Sequence, residues 1–313
     1  MSHILVIGGA GYIGAHMCKL LHGNGYIPVV LDSLEYGHRE AVRWGPLIEG
    51  SLSDTRVLNA IFSNYDIKAV MHFAAYCYVG ESVTDPARYY RNNVAGPIAL
   101  LRAMVENGVG HFIFSSSAAT YGEPVEIPIS ESHPQNPINP YGRTKLMVEQ
   151  MLVDFETAYS LRSVCLRYFN AAGADPEGEL GEDHRPETHL IPLVLQTALG
   201  QRERVDIFGD DYPTRDGTCI RDYIHIYDLA HAHLLALDRL LQGGPGGRYN
   251  LGNGNGYSVK EVIDSARRIS GRSIPATVTG RRAGDPAVLV ASSKKARKEL
   301  GWAPRFPDLS TIV

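Results

Sequence analysis

Tyr141 and Lys145 stand four residues apart in Tyr141-Gly142-Arg143-Thr144-Lys145, a spacing that sets a phenol and an ammonium on one face of a helix. A cation beside a tyrosine lowers the phenol's pKa from about 10 toward working pH, and such a tyrosine can serve as a general base. Taken alone, Tyr-x-x-x-Lys on an exposed helix face is usually inert. Upstream, however, the apolar run Phe112-Ile113-Phe114 leads into Ser115-Ser116-Ser117, and ligands of parallel α/β sheets bind at the carboxyl ends of strands. A hydroxyl there can share a substrate proton with the tyrosine; the plainer reading is a serine-rich turn.

A second constellation binds rather than reacts. Gly8-Gly9-Ala10-Gly11-Tyr12-Ile13-Gly14 follows the apolar run Ile4 to Ile7 and opens a segment of helical period. Glycines at those positions permit a tight turn and close approach of the backbone to a pyrophosphate, with the helix amino end facing the anion. The next apolar run, Ile27 to Leu31, ends in Asp32. Its carboxylate is placed to accept hydrogen bonds from an adenosine ribose and to repel a 2′-phosphate, so NAD is expected rather than NADP.

These groups need a scaffold, and the first half of the chain supplies its pattern. Short β-rich runs at Ile4 to Ile7, Ile27 to Leu31, Ala69 to Phe73 and His111 to Phe114 alternate with longer segments of helical period. That alternation predicts an α/β fold, a Rossmann-type doubly wound parallel sheet. The loop from Pro134 to Pro140 delivers the chain into a helix from about Tyr141 to Tyr159. Near residue 170 the texture changes: 173–187 is rich in Gly, Pro and acids and lacks periodicity. The expected organisation is a dinucleotide-binding domain over 1–170 and a smaller α/β substrate domain over 171–313, part of which, around 218–240, packs back on the first.

Composition narrows the class. The 313 residues carry 30 Lys plus Arg against 34 Asp plus Glu, a formal charge of −4, which argues against a nucleic-acid or anionic-membrane binder. No stretch approaches the roughly 20 apolar residues of a membrane span, and the amino end reads as a strand rather than a signal peptide. A soluble, cytoplasmic protein is expected. The four cysteines, Cys18, Cys77, Cys165 and Cys219, show no Cys-x-x-Cys and no Cys/His spacing suited to zinc, so neither a disulfide framework nor a metal site is expected.

The combination resembles the extended short-chain dehydrogenases and, among them, the UDP-glucose 4-epimerase family. The likeness runs from Ile4 to about Leu309. It is carried by Val79-Gly80-Glu81-Ser82-Val83, Phe112 to Tyr121, Asn139 to Glu149, Leu166-Arg167-Tyr168-Phe169-Asn170, Gly217 to His225 and Tyr249-Asn250-Leu251-Gly252. The resemblance implies catalysis by Ser117, Tyr141 and Lys145. It implies NAD held by Gly8, Gly11, Tyr12, Ile13, Gly14, Asp32, Ser51, Leu52, Phe73, Ala74, Ala75, Asn92, Ser115, Tyr141, Lys145 and Tyr168. On the substrate side it implies Ser117, Tyr141, Asn170, His189, Leu190, Phe208, Arg221, Arg282, Asp285 and Leu289 as contacts to a UDP-hexose. Arg221 and Arg282 can fork onto a diphosphate and Asp285 can accept from ribose hydroxyls; without the family pattern such arginines read as solvated surface charge. The implied reaction exchanges UDP-galactose and UDP-glucose through a 4-keto sugar, in a homodimer joined through helices of the first domain.

Departures from the family pattern bear on scope. Cys77 stands where many members carry a lysine near the NAD pyrophosphate, Ser51 replaces an aspartate at the adenine, and His189 replaces an asparagine. Ala119-Thr120 replaces the usual Thr-Val. Leu289 occupies a gate where a tyrosine excludes N-acetylated sugars and smaller residues admit them, and Ala74 to Gly80 is similar to a variant of UDP-arabinose 4-epimerases, so N-acetylhexosamine and pentose substrates stay open. Relatives usually continue past Val313 into one more helix, which leaves a shortened carboxyl end open. A 4,6-dehydratase needs an acid and a base after the serine strand, and Ser117-Ala118-Ala119-Thr120-Tyr121 supplies no carboxylate. A net dehydrogenase would release NADH in step with its substrate. An NAD-binding regulator has no reason to keep Ser117, Tyr141 and Lys145 together.

Overall fold

In the computed structural model, which describes residues 2–282 and 285–313, the first apolar run forms strand β1 (His3–Ile7). Ile4 and Val6 enter one hydrophobic cluster and Leu5 and Ile7 another. A strand covered on both faces reads as a continuous apolar run because successive side chains point to opposite sides. Its partners are β2 (Ile27–Asp32), β3 (Leu47–Glu49), β4 (Ile67–His72), β5 (His111–Ser117), β6 (Arg162–Tyr168) and β7 (Gly247–Leu251). All pair in parallel, in the order β7-β6-β5-β4-β1-β2-β3. Strand order reverses between β1 and β4, and the crevice at the carboxyl ends opens there.

The long helices are α1 (Tyr12–Gly23), α2 (Thr55–Asn64), α3 (Gly96–Glu106), α4 (Pro140–Tyr159), α5 (Leu190–Ala198), α6 (Ile226–Leu241) and α7 (Val259–Ser270). Met17, Cys18 and Leu21 of α1 join Leu229, Leu237 and Leu240 of α6 over one face of the sheet. Leu58, Leu100, Leu101, Met104, Val148 and Leu152 bring α2, α3 and α4 over the other. The start of α4 is written locally: the Asn139 side chain accepts the Gly142 N–H at 2.8 Å, and Pro140 occupies the first helical position, where its missing donor costs nothing.

Beyond residue 170 the elements are shorter. Asn170–Ala172 pairs in parallel with Tyr223–His225, and Val205–Phe208 with Ala276–Thr279. Ile220–Arg221 lies between Tyr257–Ser258 and Val288–Leu289. Val194, Val205, Ile207, Ile263 and Ala266 close a separate small core between α5 and α7. The chain also returns across residue 170: α6 packs on the first sheet, and β7 forms its edge beside β6. A strand's place at that edge depends on a partner about 80 residues away in sequence, so its own residues do not announce it.

Candidate active site

The turn between β1 and α1 is built of glycine for steric reasons. Gly8 has φ +80°, and a Cβ there would lie 2.6 Å from the Ala74 nitrogen. A Cβ on Gly14 would lie 2.1 Å from the Gly8 carbonyl oxygen. Gly11 caps α1, donating its N–H to the Gly8 carbonyl at 3.3 Å, and the first turn of α1 carries no acidic residue. Tyr12 and Ile13 begin that helix. Bare backbone beneath a helix amino end fits a pyrophosphate. At the end of β2, Asp32 accepts the Ala10 and Leu34 N–H groups, one on each oxygen, at 2.9 Å. Each oxygen keeps a further lone pair for a ribose hydroxyl.

Replacement of Gly14 by Ala is therefore expected to break the turn while leaving the sheet in place. The NAD recovered from purified protein after heat release should fall at least roughly tenfold, about 1.4 kcal/mol of affinity; unchanged content would contradict this account of the loop.

Other expected cofactor positions line the same crevice. Phe73 and Ala74 donate their N–H groups to the Ile7 carbonyl at 2.8 and 3.2 Å, and Ala75 follows them. Leu52 is half-buried against Gly96, while Ser51 is exposed and bonded to Ser53. Asn92 donates to the Asn93 side chain at 2.9 Å. The neighbouring Asn93 is one residue sequence reasoning missed: buried in a π turn (Arg91–Ala95), it holds Tyr76 N–H and O and donates to Thr144 on α4.

β5 and α4 bring the proton-transfer groups together. Lys145 Nζ donates to the Ser115 carbonyl at 2.8 Å and sits 5.9 Å from the centre of the Tyr141 ring. The Ser115 hydroxyl lies 3.2 Å from the Tyr168 hydroxyl and 3.3 Å from His233 Nε2. Ser117 accepts the Ala119 N–H at 3.1 Å. Burial pulls Lys145 down to about 8. The expectation that this cation lowers the Tyr141 phenol is corrected here. Burial, followed by the charges of Tyr168 and Cys77, pushes the phenol well above its ordinary value, with hydrogen bonding to Ser117 opposing. The physical reason is desolvation around the half-buried phenol, while Lys145, itself buried, donates to a carbonyl rather than to the phenol oxygen.

Behind the serines lies a buried ion pair. Ser116 donates to Glu149 at 2.6 Å, Arg167 Nε donates to the same carboxylate at 2.9 Å, and both charged side chains are 2% exposed. Charges at apolar-phase positions of α4 and β6 were the available signal.

The expected substrate residues are spread over the second half. Asn170 donates to the Asp222 carbonyl at 3.0 Å. The Arg282 guanidinium lies 3.7 Å over the Phe208 ring. Arg221 is ion-paired with Asp285, and Leu289 is its register partner on the next strand. Leu190 begins α5. His189 departs from the rest, with its Nδ1 2.6 Å from Glu182.

Comparison with known proteins agrees with this architecture. The family described as "NAD dependent epimerase/dehydratase family" matches residues 4–252. A UDP-glucose 4-epimerase of Halalkalibacterium halodurans is 57% identical over 99% of this chain and 93% of its own length. The crystal structure of UDP-glucose 4-epimerase from Brucella ovis in complex with NAD is 54% identical, with a TM-score of 0.97 over 100% of this chain and 96% of that one. A UDP-glucose 4-epimerase from Stenotrophomonas maltophila, solved with NAD and formylated UDP-arabinopyranose, is 41% identical with a TM-score of 0.96, covering 100% and 96%.

Proposed function

The chain belongs to the NAD dependent epimerase/dehydratase family, and from that premise we propose that it interconverts UDP-galactose and UDP-glucose by reversible oxidation at carbon 4, through a 4-keto sugar. The observation that carries this reading is the meeting of Ser117, Tyr141 and Lys145 at the carboxyl end of β5, two strands from the glycine turn. Gly8, Gly11, Tyr12, Ile13 and Gly14 would hold the NAD pyrophosphate, Asp32 the adenosine ribose, and Lys145 the nicotinamide ribose. When bound, NAD supplies the hydride acceptor for carbon 4 and, oxidised, a positive charge.

Tyr141 is the base. Its phenolate takes the proton of the 4-hydroxyl, Ser117 bridges the two oxygens, and the same phenol returns the proton after the keto sugar has turned its other face. Burial raises the Tyr141 phenol in the protein alone, and the positive charge of bound, oxidised NAD would oppose that shift. We assign nucleotide binding to 1–170 and sugar-nucleotide binding to 171–313. Arg221 and Arg282 serve the diphosphate, and entry of substrate exchanges the Arg221–Asp285 contact for contacts to UDP. No helix among the described residues is long and apolar enough to cross a membrane. Exposed Ile98, Met147 and Val153 on α3 and α4 support a homodimer joined through these helices.

The test offers UDP-galactose, UDP-N-acetylgalactosamine and UDP-arabinopyranose separately to purified protein without added NAD and separates the 4-epimers. Conversion of UDP-galactose is expected; failure even with NAD supplied rejects the reading. The half-buried Leu289 sits opposite Arg221, and its intermediate size favours a second, wider reading in which N-acetylated and pentose sugars are also accepted. Leu289→Tyr is expected to lower N-acetylhexosamine turnover relative to hexose at least roughly tenfold, read as a ratio of kcat/KM values.

A further inference from the structure

We propose that Glu182, His184, Glu187 and His189 form a binding site for one zinc ion. One nitrogen or carboxylate oxygen from each of the four lies within 4.8 Å of the others. His184 Nδ1 is 3.2 Å from Glu182 and 3.5 Å from Glu187; His189 Nδ1 is 2.6 Å from Glu182 and 3.5 Å from Glu187. Ligand bonds of about 2.0 to 2.1 Å in a tetrahedron place donor atoms about 3.3 to 3.5 Å apart. The His184–Glu182 separation, and those from His184 to one Glu187 oxygen and from His189 to the other, lie near that edge length; the His189–Glu182 one has to open by under about 1 Å, and the remaining edges of the tetrahedron lie within 4.8 Å. Two imidazoles with two carboxylates close a four-coordinate shell, a donor set suited to zinc and unlike the all-oxygen shells of magnesium or calcium.

Two further observations separate this cluster from an ordinary hydrogen-bonded network. His184 Nδ1 is buried and meets neither carboxylate in hydrogen-bond geometry, although both face it. The Glu182 and Glu187 side chains are only 6% and 5% exposed, and among the described residues their ion-pair partners are the two histidines, with no lysine or arginine. Two desolvated carboxylates need a cation between them, which His184 supplies when protonated and zinc would supply with both imidazoles neutral. The nearby Asp175, Glu177 and Glu179 make the contrast, because Lys19 Nζ fills that cluster at 2.6 to 2.8 Å.

The surroundings hold the donors in place. One Glu187 oxygen accepts the N–H groups of Thr188 and His189 at 2.7 and 2.8 Å, which turns the other toward His184. Tyr78 donates to the Pro186 carbonyl at 2.9 Å, and the Tyr12 ring meets His184 edge-on at 6.3 Å between centres. Zinc here clasps the segment leading into α5 against Tyr12 of the glycine turn. The site takes His189 from the expected substrate contacts and adjoins Tyr12 of the expected cofactor turn, so its test reads metal content and stability rather than turnover. Sequence reasoning passed over it because it searched cysteine and histidine spacings, whereas half the donors in Glu182-x-His184-x-x-Glu187-x-His189 are carboxylates.

The experiment uses the full chain, expressed with zinc in the medium, with metal content read by mass spectrometry. The protein is then stripped with a chelator and titrated with zinc against a chromophoric competitor. About one zinc per chain is expected, with a thermal midpoint that rises when zinc, but not magnesium or calcium, is restored to the stripped protein. His184→Ala is expected to weaken zinc binding at least roughly tenfold and to abolish the midpoint shift; should it fail to fold, the near-isosteric Glu182→Gln carries the same expectation. Zinc below about a tenth of an equivalent with no midpoint shift in the unaltered chain overturns the site, as does unchanged zinc binding in the folded variants.

Discussion

Tyr141→Phe is expected to reduce turnover of UDP-galactose by roughly a thousandfold, within the 10²- to 10⁴-fold span of general acid–base catalysis. The substitution keeps the ring that lies beside Lys145 and removes only the oxygen that moves the proton. Bound NAD should therefore remain at the level of the unaltered protein, and the loss should appear in kcat rather than KM. Measuring both separates the two roles of the site. Near-normal turnover in this variant would remove Tyr141 from the chemistry and return attention to Ser117. Loss of NAD along with activity would mean that the phenol holds the cofactor instead.

The largest effect on stability is expected from Arg167→Met. Removing the guanidinium leaves Glu149, 2% exposed, with the Ser116 hydroxyl and the more distant Arg248 at 3.9 Å to meet its charge, and breaking one partner of such a buried pair costs about 3 to 5 kcal/mol. The double variant Arg167→Met with Glu149→Leu should be less destabilised than the single one, because the stranded charge is gone as well. Urea unfolding monitored by circular dichroism gives both numbers; a single-variant loss under about 1 kcal/mol would show that the pair is not what holds β6 to α4. Ser116 donates to the same carboxylate and lies between Ser115, whose carbonyl holds Lys145, and Ser117. Activity should therefore fall in the single variant even where most of the protein is folded.

Much of the site could be read in the chain because its parts are local. The glycine turn lies directly between β1 and α1, the Tyr141 and Lys145 pair is one helical turn, and the serines are the end of one apolar strand. Asn139 and Pro140 state the start of α4 by capping chemistry alone. Asp32 is legible for the same reason, as the residue on which β2 ends.

Other features depend on residues that meet only after folding. β7 and α6 complete the first layer from the far half of the chain, Arg221 is paired with Asp285 from a different strand region, and the Glu149–Arg167 pair joins a helix to a strand. The state of Tyr141 is of this kind too. Its spacing from Lys145 announced a pair, but burial set the direction in which its proton affinity moves. The amino-acid sequence by itself determined which groups are present, their order and the elements that carry them, since hydrophobic period and capping act over a few residues. Only the tertiary structure decided which charges face one another and how far from water they stand, because electrostatic energies follow distance and desolvation rather than position along the chain.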